Sequence, residues 1–159
     1  MNVLEQEYCR NLGCRDIDYH LFGFYRQVFE KSSGGLDLME SKKAYVKLME
    51  SIERQRKILS GNLEHDLNIE YLMEENDLNY TMTRDQFEKV CEPIFNEIKK
   101  VLTKVKDELQ AKKFELHSIE MVGGGSRIPI FIQSVKEVFK IEPSRTLNSS
   151  ESVARGCAL

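Results

Sequence analysis

No stretch of this sequence approaches the ~20 consecutive apolar residues that a membrane-spanning helix needs. The opening Met1-Asn2-Val3-Leu4-Glu5 carries neither the basic start nor the apolar run of a signal peptide. Basic charge is also scarce: 23 Lys plus Arg stand against 26 Asp plus Glu, a net charge of -3. A nucleic-acid binder announces itself by a basic excess or patch, so that class is set aside. The one basic cluster, Lys99, Lys100, Lys104 and Lys106, alternates with Val101, Leu102 and Val105 and reads as the wet side of an amphipathic helix. The four cysteines, at 9, 14, 91 and 157, make no CxxC pair, and His20, His65 and His117 stand far apart. Structural zinc needs tight ligand pairs, so none is expected. Reduced thiols and the lack of a leader lead to the expectation of a cytoplasmic protein with no membrane contact. Internal repeats and low-complexity segments are missing as well.

What is present is mixed periodicity over 159 residues, 41% of them apolar and 31% charged, enough for one medium domain or two small subdomains. Residues 2–9 offer only a faint strand pattern. From Asp16, an N-cap residue, Ile17, Leu21, Phe24, Tyr25 and Val28 recur at helical spacing until Ser32-Ser33-Gly34-Gly35. A second helix is predicted from about Ser41 to Leu59, with Tyr45, Leu48, Ile52 and Leu59 inward and Gly61 as a left-handed stop. The period then falls to two. Leu67, Ile69, Tyr71 and Met73, a turn over Glu74–Asp77, then Leu78, Tyr80 and Met82 read as a β-hairpin with one buried face. Thr83 and Gln86 make a capping box that opens a long helix bearing Phe87, Val90, Ile94, Ile98 and Val105, bent at Pro93. A short buried strand, Ile119 to Val122, runs into Gly123-Gly124-Gly125-Ser126-Arg127-Ile128-Pro129 and another helix with Ile132, Val135, Val138 and Phe139 inward. An extended connection around Pro143 leads to a last helix from about Ser149, whose missing stop signal suggests a truncated chain.

Two groups of residues could carry chemistry. The strand, triple-glycine turn and helix let backbone approach a ligand closely, and a helix N-terminus behind them favours phosphate or polar ribose groups. Pro129 suits the first helical turn, and Arg127 could lay its flat guanidinium on an aromatic base. A plain tight turn is the competing reading. On the second helix, Glu53, Arg56, Lys57 and Ser60 fall at i, i+3, i+4 and i+7 and share a face, which could be a ligand wall or solvated surface.

The residues Val122 to Pro129 resemble the Val-Gly-Gly-Ser-Thr-Arg-Ile-Pro motif of DnaK-type chaperones, the seventy-kilodalton heat-shock superfamily. Leu12-Gly13-Cys14-Arg15-Asp16-Ile17-Asp18 resembles its Leu-Gly-Gly-x-Asp-Phe-Asp. Glu53 to Ser60 resembles Glu-x-x-Lys-x-x-x-Ser, and Thr83 to Glu88 resembles Thr-Arg-x-x-Phe-Glu. The end, Thr146-Leu-Asn to Leu159, and Leu67-Asn-Ile-Glu70 are closer to the large, one-hundred-and-ten-kilodalton branch. The resemblance runs from 12 to 159 with its motifs in order.

It implies an α/β, actin-like ATPase fold, of which this chain is most of the second lobe. Residues 1–12 would be an N-terminal strand or linker, 13–92 the outer helical and hairpin subdomain, and 93–159 part of the inner subdomain. The phosphate hairpins, catalytic carboxylates and peptide-binding domain of the family lie outside the resemblance. What remains is the adenosine half of an ATP or ADP site, which uses Mg in the intact protein. Glu53, Arg56, Lys57 and Ser60 would line one wall, and Gly124, Gly125, Arg127, Ile128 and Ser150 the other. Four departures stand out: Arg56 replaces a Lys, Gly125 a Ser, Ser150 an Asp and Cys14 a Gly. They fit a branch in which hydrolysis matters less.

The implied function is part of a chaperone that acts as nucleotide exchange factor and holdase. The outer subdomain would meet a partner heat-shock chaperone, and absent domains would hold unfolded clients. The alternative is a lobe of a standard ATP-hydrolysing folding chaperone. Sugar kinases and actin share the fold without these motifs, and a helical adaptor would not need the hairpin or glycine turn. The chain itself is expected to be no enzyme, with the parent's ATPase activity left open.

Overall fold

The computed structural model describes residues 3–148 and 151–158 and divides the chain into two compact units, Arg15–Glu92 and Met1–Cys14 together with Pro93–Leu159. The fold is mixed α/β, with six α-helices and one two-stranded sheet among the described residues.

In the Arg15–Glu92 unit, α1 (Cys14–Ser32) and α2 (Lys42–Leu59) bury their apolar stripes together: Ile17, Leu21, Tyr25 and Phe29 from one, Ala44, Leu48, Ile52 and Leu59 from the other. Phe22 meets Tyr45 edge to face, with ring centroids 4.9 Å apart. The α1 stop follows its glycines, because Gly34 and Gly35 take φ of 75° and 105°. Ser41 caps α2 by accepting a hydrogen bond from the Ala44 amide. The end of α2 differs from expectation. Gly61 is not left-handed; instead the Arg84 guanidinium donates to the carbonyls of Leu59 at 2.9 Å and Asn62 at 2.7 Å. A cationic side chain satisfies the free C-terminal carbonyls and so removes the need for a glycine turn.

The hairpin pairs β1 (Glu64–Met73) antiparallel with β2 (Asn76–Thr83) and lays Leu67, Ile69, Leu78 and Met82 on the core. Its register slips between Ile69 and Met73, where Tyr71 takes a φ of 45°. That irregularity reverses the faces near the turn, so Leu72 is buried and Tyr71 is exposed, against simple alternation. The capping box forms as read, with Gln86 N donating to Thr83 Oγ1 at 3.3 Å and Thr83 N to Gln86 Oε1 at 3.3 Å. Thr83→Ala is therefore expected to cost about 1 kcal/mol of stability, read as a lower urea midpoint at unchanged slope.

Pro93 does not bend one long helix. The helix ends at α3 (Arg84–Val90), Cys91 leaves helical geometry at φ −95°, ψ 7°, and α4 (Glu92–Ala111) starts afresh. A proline lacks the amide that an interior turn must donate but costs nothing in a first turn, which is where Pro93 sits.

In the other unit, α4 presents Ile94 and Phe95 to a core shared with Met121, Ile128 and Val135. Residues 3–9 form no strand; Lys104 holds Glu7 at 2.6 Å, and Lys112 pairs with Glu5. Lys99 and Lys100 pair with Glu137 and Glu97, so much of the basic cluster is matched by carboxylates. The predicted strand at 119–122 reduces to one parallel bridge, Glu120 to Ser144. Two hydrogen bonds frame it, Met121 N to Ser144 O at 2.9 Å and Ser144 N to Ile119 O at 2.8 Å. Extended backbone becomes a strand only with a continuous ladder, and among the described residues no further neighbour supplies one. A 3-10 turn over Gly124–Arg127 leads into α5 (Pro129–Phe139), with Pro129 in its first turn, and α6 (Ser152–Cys157) follows an extended stretch. The expected helix start near Ser149 lies outside the described residues.

Candidate functional site

The glycine turn is built by backbone that only glycine adopts readily. Gly123 sits at φ 94°, ψ 167°, a region closed to side chains by steric contact. Ser126, buried, braces the turn by donating its hydroxyl to the Gly123 carbonyl at 2.7 Å. At Gly124 an added Cβ would meet nothing within 4 Å, so its open face comes from local geometry and not from a crowded neighbour. Gly125 differs. A Cβ there would lie 3.4 Å from Cys14 Sγ, so the thiol takes up room beside it.

Beside this turn a polar recess of about 690 Å³ opens among Met121, Ser126, Arg127, Arg145, Thr146, Leu147 and Asn148. Glu120 shapes it, accepting hydrogen bonds from Thr146 N at 3.1 Å and Thr146 Oγ1 at 2.6 Å. Arg127 and Arg145 are exposed, and neither has an ion-pair partner among the described residues. Two exposed guanidiniums and a glycine turn suit a flat, electron-rich base with polar sugar hydroxyls, so the residues present fit a nucleoside. Ile128 does not face this recess as an exposed wall: it is buried, and its backbone leads into α5. Ser150 lies outside the described residues.

The α2 group belongs to the Arg15–Glu92 unit, and the structure divides it. Glu53 and Lys57 are exposed and pair at 2.6 Å, and Lys57's ammonium, hydrogen-bonded to Glu53, holds that carboxyl below its ordinary range. Arg56 turns the other way. Its Nε donates to Asp18 Oδ1 at 2.6 Å and its terminal nitrogen to Oδ2 at 3.1 Å, with the two side chains only 7% and 9% exposed. Ser60 ends the helix, donating its hydroxyl to the Arg56 carbonyl at 3.1 Å. Close by, burial first and then the Asp18 charge push the Cys91 thiol up to about 12, against the opposing pull of Arg56, so it remains a protonated core residue.

Sequence reasoning missed Asp18, Arg145 and Thr146. For Asp18 there was a signal: it falls on the inward stripe of α1 three residues before Leu21 and seven before Tyr25, and a charge on a core stripe demands a partner. Arg145 and Thr146 carried none, because the short bridge that places them has no periodicity of its own.

The family model of the Hsp70 protein matches residues 1–159. Among curated relatives, heat shock 70 kDa protein 14 of Arabidopsis thaliana is 37% identical over 159 residues, 100% of this chain and 19% of the relative. Heat shock protein 110 of Caenorhabditis elegans is 41% identical over 137 residues, 85% of this chain and 18% of its own length. The 97 kDa heat shock protein of Strongylocentrotus purpuratus is 35% identical over 160 residues, 100% of this chain and 18% of the relative. The chain thus spans about a fifth of the length of these relatives. Matched by the family model along its whole length, the chain belongs to the Hsp70 family.

Proposed function

We propose that this chain is the second lobe of an actin-like nucleotide-binding domain in a large-branch heat-shock chaperone, and that it retains the adenosine half of an ATP or ADP site. The observation that carries this reading is the polar recess beside the Gly123–Arg127 turn, with Arg127 and Arg145 paired with no carboxylate among the described residues. The relatives named heat shock protein 110 and 97 kDa heat shock protein support the large branch. There the parent acts as exchange factor and holdase, meeting a partner chaperone through residues 13–92.

A nucleotide with its Mg supplies the phosphoryl chemistry, and the residues of this chain bind and orient. Arg127 would stack its guanidinium plane on the base, while Arg145 and the Thr146 hydroxyl face the polar edge of base or ribose. Glu53 and Lys57 pair with each other at the surface of α2 in the Arg15–Glu92 unit, an exposed contact of a kind that contributes less than about 1 kcal/mol. Phosphoryl transfer also needs phosphate-cradling amides and a positioned water. The family resemblance assigns those to segments other than these 159 residues, so the chain alone binds without turnover.

Calorimetric titration with Mg-ADP, backed by thermal melts, tests the reading. Saturation at 100 times the dissociation constant stabilises the native state by about 2.7 kcal/mol. Arg127→Ala is expected to weaken binding about tenfold or more, the scale of a desolvated cation–π contact. No heat and no melt shift up to millimolar nucleotide overturn the reading for this chain. The exchange role is tested in the full-length parent, by faster release of labelled ADP from a standard-type partner.

A further inference from the structure

Residues 119–122 are extended, yet one edge of the segment stays open. Ser144 N donates to the Ile119 carbonyl at 2.8 Å, and Met121 N donates to the Ser144 carbonyl at 2.9 Å, so Ile119 and Met121 direct these groups toward Ser144. Successive residues of an extended chain use opposite edges, so the N–H and C=O of Glu120 and Val122 face away from Ser144. Among the described residues no backbone group meets them, and both residues are exposed. Free amides and carbonyls along an exposed extended segment are a template for a further strand. We propose that this edge pairs antiparallel with the same edge of a second copy of the chain, forming a two-fold dimer across residues 120–122.

The register argues for a second copy as the occupant. In an antiparallel ladder, opposed residues that exchange both N–H···O=C bonds recur at every second position. Glu120 placed opposite Val122 of the second copy puts Val122 opposite Glu120 of the second copy, as a two-fold axis requires. Met121 then faces its own counterpart, at a position that exchanges no bonds. Each free group of one copy meets a complementary free group of the other, and none is left over. Glu120 does not face Glu120, so no like charges stand opposite each other. Gly123, at φ 94°, turns the backbone out of the extended region and ends the pairing after Val122.

The unit that carries this edge is also poor in core. Among the described residues its buried apolar side chains are Ile94, Phe95, Met121, Ile128 and Val135, fewer than a third of those in Arg15–Glu92. Val122 is left 44% exposed at the open edge. Where a single chain buries so little apolar surface, association supplies part of what is missing.

Sedimentation equilibrium of the 159-residue chain, from about 1 μM to about 1 mM, is expected to show a reversible monomer–dimer equilibrium. Hydrogen exchange of the Glu120 and Val122 amides is expected to slow as the dimer fraction rises. Val122→Pro removes one of the donors and is expected to abolish the dimer while circular dichroism stays unchanged. Two charge variants read the register itself. Val122→Glu meets Glu120 of the second copy at two symmetric places and is expected to weaken the dimer about tenfold. Val122→Lys meets the same carboxylates and is expected to stay within about threefold of wild type. Association through a general apolar patch would suffer alike from both charges, so equal losses in the Glu and Lys variants overturn the inference. A monomer throughout the range overturns it, as does a dimer that survives Val122→Pro with the amides at 120 and 122 still exchanging freely. Should Val122→Pro fail to fold, the contrast between the Glu and Lys variants supports or overturns the inference by the same signs.

Discussion

Asp18→Ala is expected to destabilise the Arg15–Glu92 unit by about 3–5 kcal/mol, the cost of leaving one member of a buried ion pair without its partner. The cause is the loss of the bidentate carboxylate that faces the buried Arg56 guanidinium. In the wild type, Arg56 Nε lies 2.6 Å from Asp18 Oδ1 and the side chains are 7% and 9% exposed, so no bulk water can replace the lost carboxylate. Cys91, whose thiol is buried nearby and held protonated, offers Arg56 no anion. Removing both charges behaves differently: Asp18→Leu/Arg56→Met is expected to lie within about 1 kcal/mol of wild type or above it, because an apolar pair of similar volume needs no desolvation. Since a domain of this size holds only about 5–15 kcal/mol in all, the single change removes a large share of its stability. Equilibrium urea unfolding checks both, read at the midpoint with the slope as a control. A loss below about 1 kcal/mol in Asp18→Ala would mean that water reaches Arg56, and the pair would then count as a surface contact.

The elements that were legible in the sequence are those whose own residues carry the signal. α1 and α2 follow from apolar residues three and four apart and from Ser41 and the Gly34-Gly35 stop, although α1 begins at Cys14 and so places Asp16 inside its first turn instead of at the N-cap; the capping box at Thr83 and Gln86 forms as spaced. The glycine turn was legible because Gly123 takes a backbone conformation that few other residues could hold. What was hidden depends on partners distant in sequence. The slip in β1 that buries Leu72 and exposes Tyr71 is set by pairing with β2, not by alternation within β1. The termination of α2 needs Arg84, some 25 residues on, to reach the Leu59 carbonyl. Within the candidate site the same division holds. A helical-face argument groups Glu53, Arg56, Lys57 and Ser60, yet 3.6-residue spacing cannot say which edge of that face is wet. Asp18, 38 residues away, decides it by drawing Arg56 inward.

Tyr25→Ala is expected to cost about 4 kcal/mol or more, because it opens a cavity and orphans a buried amide together. Tyr25 is fully buried, with its ring edge-on to Phe24 at 5.3 Å and to Tyr80 at 5.7 Å, so it links α1 to the hairpin. Its hydroxyl donates to Gln55 Oε1 at 2.6 Å, and Gln55, also fully buried, donates in turn to the His65 carbonyl at 3.4 Å. Truncation to Ala removes the ring contacts and leaves Gln55 Oε1 without its donor where water does not reach. Tyr25→Phe separates the two effects: it keeps the ring and is expected to cost only about 1–2 kcal/mol, the share of the orphaned amide. Burial drives the Tyr25 phenol well above its ordinary 10.0, so the folded state favours the protonated donor. The sign follows from that shift. A group raised on folding gives its stabilisation in full below the unfolded value and loses it as pH rises toward the folded one. The stability gap between wild type and Tyr25→Phe should hence be flat from about pH 6 to 9 and shrink above about pH 10. Urea midpoints for the pair across that range check it, and a gap that widens with pH would show that Tyr25 ionises more easily inside the fold than outside.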